Sequence, residues 1–234
     1  MSISVPVASG GQNHFGNSVS VSKNVGTGSN RYAIVLATYS ASPGAGGGTP
    51  STATVGSDTL TLQGSVQTDG TGRKSAIFSG ALTQTGTQPI TANFTGSISS
   101  GFAEFVCLVL QGTNALTLAN FTAPANGSNG GSGTDTITVT STSGDTVFEL
   151  SNEYGYSISP TAGSGTSSVT NDAGPPGVTT WQATASSSST AINVSWPAGY
   201  DACRSGFSVT EAAGAGSGLV ALERITRGQF RGQY

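Results

Sequence analysis

The acidic residues are the first place to look for chemistry. Glu149 and Glu153 flank Leu150-Ser151-Asn152, and Glu104 and Asp145 lie within or beside apolar strand patterns. Two carboxyl groups about 5–9.5 Å apart could hydrolyse a glycoside, one as acid and the other as base or nucleophile. A strand end is expected to separate Glu149 from Glu153, and Glu104 is expected to face solvent from its strand. The acids therefore read as a solvated rim. Glycosidases also present aromatic platforms to sugars, whereas Trp181 and Trp196 sit in strand patterns that suggest core.

The other routes to catalysis lack parts. The chain has one histidine, His14, in Gly11-Gln12-Asn13-His14-Phe15-Gly16-Asn17. A serine hydrolase needs a histidine held by a carboxylate and touching the serine, and no G-x-S-x-G elbow is present. A zinc site takes three or four His or Cys ligands, and His14, Cys107 and Cys203 are the candidates. The Asp-x-Asp-x-Asp-Gly calcium pattern is missing. Asp69-Gly70 and Asn171-Asp172 are turn chemistry. Gly44-Ala45-Gly46-Gly47-Gly48 has no following Lys-Ser/Thr and no helix to make a phosphate cradle. The expectation is a non-enzyme with no cofactor and no metal.

Composition says what must position any site. Charged residues make up 8% of the 234 residues, against roughly 25% in ordinary globular proteins. Glycine, at 35 residues, is about twice its usual share. Serine and threonine fill the polar positions. Thr and Val favour strands, while solvated helices want Glu, Lys and Arg on their outer faces. A hydroxyl-covered surface with little charge repels neighbouring copies weakly, which suits packing in an array. The net charge of −3 gives no drive toward nucleic acid. Met1-Ser2-Ile3-Ser4-Val5-Pro6-Val7 has no signal-peptide pattern, and no apolar run is long enough to span a bilayer as a helix. Synthesis in the cytoplasm, with neither nucleic acid nor membrane as partner, is expected. Cys107 lies in the run Phe105-Val106-Cys107-Leu108-Val109-Leu110 and reads as a small buried thiol.

Period-two alternation recurs along the chain. It predicts strands at Ser18–Ser22, Tyr32–Tyr39, Asp58–Leu62, Ser75–Leu82, Pro89–Thr95, Phe102–Gln111 and Thr134–Thr140. It continues at Asp145–Leu150, Val178–Ala183, Ala191–Trp196 and Ser205–Thr210. YAIVLATY and FAEFVCLVLQ are nearly continuous apolar runs, the mark of central strands buried on both faces. The segments Ser42–Thr54, Asn126–Gly133 and Ser157–Ser168 are low in complexity and read as exposed loops. Thr134–Glu211 has few apolar positions for a core of its own, so one sandwich using strands from both halves is expected. The fold class is all-β, an antiparallel β-sandwich of jelly-roll or Ig-like type with long Gly/Ser loops and a C-terminal tail. The organisation is residues 1–27 as an N-terminal strand or arm, 28–213 as the sandwich, and 214–234 as linker and tail.

The tail changes character. Gly214–Gly218 is a small-residue linker, and the residues after it hold three of the six arginines. Leu222, Arg224, Ile225, Arg227, Phe230, Arg231 and Tyr234 are the candidate partner-binding residues, because arginine and aromatic side chains dominate interface hot spots.

The stretch Gly28–Ala213 resembles a β-sandwich domain that recurs in bacteriophage structural proteins and bacterial surface proteins. The resemblance runs through Gly28-Ser29-Asn30-Arg31-Tyr32 into AIVLATY, the hairpin-like Ala53–Leu62, Arg73–Leu82, and Gly86-Thr87-Gln88-Pro89 before ITANFT. It continues through AEFVCLVLQG, TITVTST, and Gly144-Asp145 opening TVFEL. It implies a virion structural protein, a capsid decoration or cement protein made in the host cytoplasm. Its partners would be the major capsid protein or other virion proteins, and it would form a homo-oligomer. The alternative is a receptor- or glycan-binding module of a phage tail or fibre, using Tyr154, Tyr156 and Tyr200.

Overall fold

The two continuous apolar runs are strands covered on both faces. The computed structural model describes residues 3–14, 16–40, 48–68, 72–96, 102–129, 133–153, 160–172, 177–196 and 200–212. Every regular element among them is a β-strand. The first half holds β1 (Ser4–His14), β2 (Ser18–Asn24), β3 (Arg31–Ser40), β4 (Thr49–Val55), β5 (Asp58–Thr59), β6 (Thr61–Thr68), β7 (Lys74–Leu82), β8 (Thr87–Thr95) and β9 (Phe102–Gln111). The second holds β10 (Leu116–Phe121), β11 (Ala125–Asn129), β12 (Gly133–Thr140), β13 (Thr146–Glu153), β14 (Thr161–Ala162), β15 (Ser167–Asp172), β16 (Gly177–Thr184), β17 (Ser189–Trp196) and β18 (Tyr200–Glu211).

These strands form four antiparallel sheets. Sheet I has the order β2-β8-β4-β5 and sheet II the order β1-β9-β3-β7-β6. Sheet III has the order β10-β18-β13-β16-β15 with β11 also on β18, and sheet IV the order β12-β17-β14. Among the described residues no sheet mixes strands from the two halves. The halves share a core instead.

Three apolar layers separate the sheets. On β3, Ala33, Val35, Ala37 and Tyr39 meet Ala53, Ile90 and Phe94 of sheet I. The alternate residues Ile34 and Leu36 point the other way, with Val106, Leu108 and Leu110 of β9, onto Phe148, Leu150, Phe207 and Val209 of sheet III. Phe148 and Phe207 are cross-strand partners whose rings stack with centroids 5.7 Å apart. A smaller layer of Val139, Val147, Ile192, Val194 and Trp196 joins sheet III to sheet IV. The stack is therefore I–II–III–IV, an antiparallel β-sandwich repeated across a common inner layer. The sparse apolar content of the second half is completed by one face of sheet II. That is why β3 and β9 carry hydrophobic residues on both faces rather than alternating.

Two expectations are corrected. Asp58–Leu62 is not one strand: β5 pairs with β4 in sheet I and β6 with β7 in sheet II. The chain changes sheet at Leu60, which is buried in the layer between them. The low-complexity segments are not all loop. β4 begins inside Ser42–Thr54, β11 lies largely in Asn126–Gly133, and β14 and the start of β15 lie in Ser157–Ser168. Ladder bonds come from the backbone, so a Ser/Thr/Gly segment can pair at a sheet margin without an apolar pattern.

Close packing explains one glycine. Gly206 sits on β18 where β12 crosses it, and a Cβ there would fall 2.5 Å from Val139 Cγ2 and 2.7 Å from Ile137 Cγ2.

Candidate functional site

The densest ionisable chemistry lies inside the wall between sheets III and IV. Glu149 of β13 and Arg204 of β18 point into that layer from adjacent strands. Arg204 Nε donates to Glu149 Oε1 at 2.6 Å and its Nη2 donates to Oε2 at 2.8 Å. This fork-to-fork geometry is that of a charged guanidinium and a charged carboxylate. A further guanidinium nitrogen forms an ion pair with Asp135 of β12. The guanidinium also lies 5.5 Å from the ring centroid of Trp196 on β17, within cation–π range. Glu149 is fully buried and Arg204 nearly so, while the Asp135 side chain is 43% exposed. Burial pushes the Glu149 carboxyl up, against the pull of the Arg204 bonds and charge. Burial acts to lower the Arg204 value, but Glu149 and Asp135 outweigh it and hold it above its ordinary position.

The expected rim of solvated acids is thus corrected. Glu149 is a buried ion-pair partner. Glu104 does not face solvent either: it shares the parity of Val106 and Leu108 and is buried in the layer between sheets II and III. It stands in register with Thr38, which in turn faces Ser75, and all three are buried. Asp145 ties a turn to a strand, accepting from Thr142 N at 2.8 Å and Thr210 Oγ1 at 3.0 Å. No strand end separates Glu149 from Glu153; both belong to β13. Four residues along a strand place their backbones about 13 Å apart, beyond the reach of a glycosidase pair.

The cluster left a trace in the sequence. In a chain with 8% charged residues, a glutamate between Phe148 and Leu150 and an arginine just after Cys203 are opposite charges inside strand patterns. Buried charges are found paired, so each pointed to the other.

The remaining candidates fall elsewhere. Cys107 and Cys203 are buried thiols that form no disulfide. Cys107 packs on the sheet I side of sheet II and Cys203 on its sheet III side, so a sheet stands between them. Burial pushes the Cys107 thiol up to about 12, which keeps it protonated. His14 ends β1, paired with Phe102. Trp196 is in the core, as expected. The side chains of His14, Glu153, Trp181 and Tyr200 lie outside the described residues, as do Asp69, Tyr154 and Tyr156. The tail residues Leu222, Arg224, Ile225, Arg227, Phe230, Arg231 and Tyr234 also lie outside them. Among the described residues no three His, Cys, Asp or Glu side chains gather to hold a metal ion. A surface depression lined by Thr146, Thr166, Ser167, Gln182 and Thr184 offers hydroxyls and an amide, with no charged group.

The two outer faces of the stack are laddered with hydroxyls. On sheet I, Ser20 Oγ and Thr91 Oγ1 are 2.8 Å apart, and Asn93 donates to Thr52 Oγ1 at 3.0 Å. On sheet IV, Thr134 and Ser195 hydroxyls are 3.1 Å apart, and Thr136 donates to Asn193 Oδ1 at 2.8 Å. Compared with models of protein families, with curated proteins and with solved structures, the chain matches none.

Proposed function

We propose that this chain is a non-enzymatic virion structural protein, a decoration or cement protein on a phage capsid. The observation that carries the reading is the placement of its charges. Glu149, the acid with the best-formed partner, is locked to Arg204 inside the wall, and the outer sheets present uncharged hydroxyl ladders. Such an arrangement hardens a module and leaves a surface that neighbouring copies do not repel. The resemblance of Gly28–Ala213 to phage β-sandwich domains supports the same reading. In it, the arginines of the tail meet carboxylates of a shell protein in two-pronged fashion, and Phe230 and Tyr234 fill apolar pockets.

The test is binding to undecorated capsids. Full-length protein and a chain lacking Gly218–Tyr234 are mixed with particles, and occupancy is read by electron microscopy. Regular density on the head, lost on truncation, is the expected result. Equal occupancy by the truncated chain would remove the tail from the contact. Density on the tail tip alone would favour receptor binding in place of decoration.

A further inference from the structure

The two halves of the chain thread their strands alike. Sheet II has the order β1-β9-β3-β7-β6, and sheet III has β10-β18-β13-β16-β15, with β11 sharing β18 beside β10. In sheet I, β2-β8-β4 matches β12-β17-β14 of sheet IV. Counted along each half, the same strands pair in the same order, and β5 alone has no counterpart among the described residues. Irregularities match too. The ladders of β1 and β10 shift register, as do those of β6 and β15, while β2 and β12 pair without a shift. The hydroxyl ladders lie on matching strands, Ser20–Thr91 on β2 and β8 and Thr134–Ser195 on β12 and β17.

Matching β3 to β13 and β9 to β18 at their midpoints pairs up single residues. Ile34 and Leu108, which stand opposite each other, fall on Phe148 and Phe207, which also do. Leu36 falls on Leu150, and all of these lie in the one layer between sheets II and III. Val35 falls on Glu149 and Phe105 on Arg204. The ion pair of the second half therefore takes the place of two apolar side chains, which the first half buries between sheets I and II.

The contact between the halves is reciprocal. β1 packs on β15 and β16, and its counterpart β10 packs on β7. β10 also brings Phe121 over Gly64 of β6, where a Cβ would fall 3.1 Å from the ring. Reciprocal contacts of this kind mark an isologous, two-fold interface. We infer that the chain is two copies of one two-sheet unit in tandem. The facing surfaces of sheets II and III are one self-complementary surface, whose partner is a second copy of the unit, closed here within a single chain about a local two-fold axis. The outer hydroxyl ladders of sheets I and IV are then one surface presented twice, on opposite sides of the stack. The inference is independent of the proposed function.

A two-fold axis makes a demand on the chain ends. The step from the end of β9 to the start of β10 takes residues 112–115, so a step of the same length must lead from the end of β18 to the start of β1. The contacts agree. Asn114 N–H donates to Glu211 Oε1 at 2.6 Å, Ala212 N–H donates to the Ala115 carbonyl at 2.8 Å, and Ser4 stands opposite Gln111.

A circular permutant tests this demand. The chain is opened between Thr113 and Asn114, and Ala212 is joined to Ile3 through two glycines, which repeats the length of the natural step. Opening at a loop between units leaves each unit continuous. The permutant should sediment and melt like a parent chain trimmed to residues 3–212. A permutant that folds only with a much longer joint, or with no joint at all, overturns the inference. The residue matching has its own test in the full chain. Glu149→Val with Arg204→Phe installs the side chains of the first half in their matching places, and Glu149→Phe with Arg204→Val installs the same two in exchanged places. The first variant should have the higher Tm. Equal values or the reverse order overturn the matching and the repeat with it. Should both variants fail to fold by circular dichroism, the permutant decides alone.

Discussion

The Arg204 guanidinium grips the Glu149 carboxylate with two hydrogen bonds, of 2.6 and 2.8 Å, inside the layer between the third and fourth sheets. Each partner lies on a strand of sheet III, and the same guanidinium reaches Asp135 and Trp196 on sheet IV. One side chain on β18 therefore touches β13 of its own sheet and both β12 and β17 of sheet IV.

Breaking this pair should be costly in one direction and cheap in the other. Glu149→Ala or Arg204→Ala leaves a buried charge without its partner and should cost about 3–5 kcal/mol. Replacing both together, Glu149→Leu with Arg204→Met, should cost less than either single change, because no charge is then stranded. Urea unfolding of the three variants checks this. A double variant less stable than both singles would mean that the pair contributes more than mutual neutralisation.

Gly206 should tolerate no side chain while β12 keeps its own. Gly206→Ala places a methyl group within 2.5 Å of Val139 and 2.7 Å of Ile137. Overpacking of this kind costs about 1–3 kcal/mol. Adding Val139→Ala should recover part of the loss, a rescue measurable as a rise in Tm of the double variant over Gly206→Ala.

Asp58 should make stability depend on acid pH. Burial acts to raise its carboxyl, but hydrogen bonds from Thr83 and Gln84 outweigh that and hold it below its usual range. Its oxygens accept from Thr83 N at 2.7 Å, Thr83 Oγ1 at 2.6 Å and Gln84 N at 3.0 Å. A depressed folded value means that the ionised form stabilises the fold above the unfolded value of about 3.9. That contribution is lost as the pH falls through the folded value. Asp58→Asn should therefore be less stable than the parent at neutral pH, and the two should converge in acid. Unfolding curves at several pH values would show the gap closing.

Leu36 and Val109 report on different layers. Leu36 packs toward sheet III and Val109 toward sheet I, and both are fully buried. Leu36→Ala and Val109→Ala should each cost about 2–4 kcal/mol through the cavity left behind. Thr59 is exposed on β5, and Thr59→Ala should cost well under about 1 kcal/mol. Equal losses at the three positions would contradict the layer assignment.

Much of this was legible in the residues. Period two in S-V-S-V-S and T-D-T-I-T-V-T marks strands with one buried face, and YAIVLATY and FAEFVCLVLQ mark the central pair β3 and β9. The burial of Trp196 followed from its strand pattern. The margins were not legible: β10, β11, β14 and β15 pair through backbone groups that every residue carries, so their side chains announce little.

The sequence by itself determined that the chain is all-β and where the inner strands run. Those properties are local, since alternation follows from the pleat; the buried pairing of Glu149 with Arg204, read from the sequence as a solvated acid, came from the structure. Only the tertiary structure decided which faces meet. Glu104 alternates with residues that a two-layer sandwich would leave at solvent, and it is buried because sheet III covers that face of sheet II. Asp58 and Leu60 read as parts of one strand in the sequence, yet the chain turns a corner between two sheets there. Stacking order arises from contacts between residues far apart in the chain, and no local pattern encodes which apolar face will close on which.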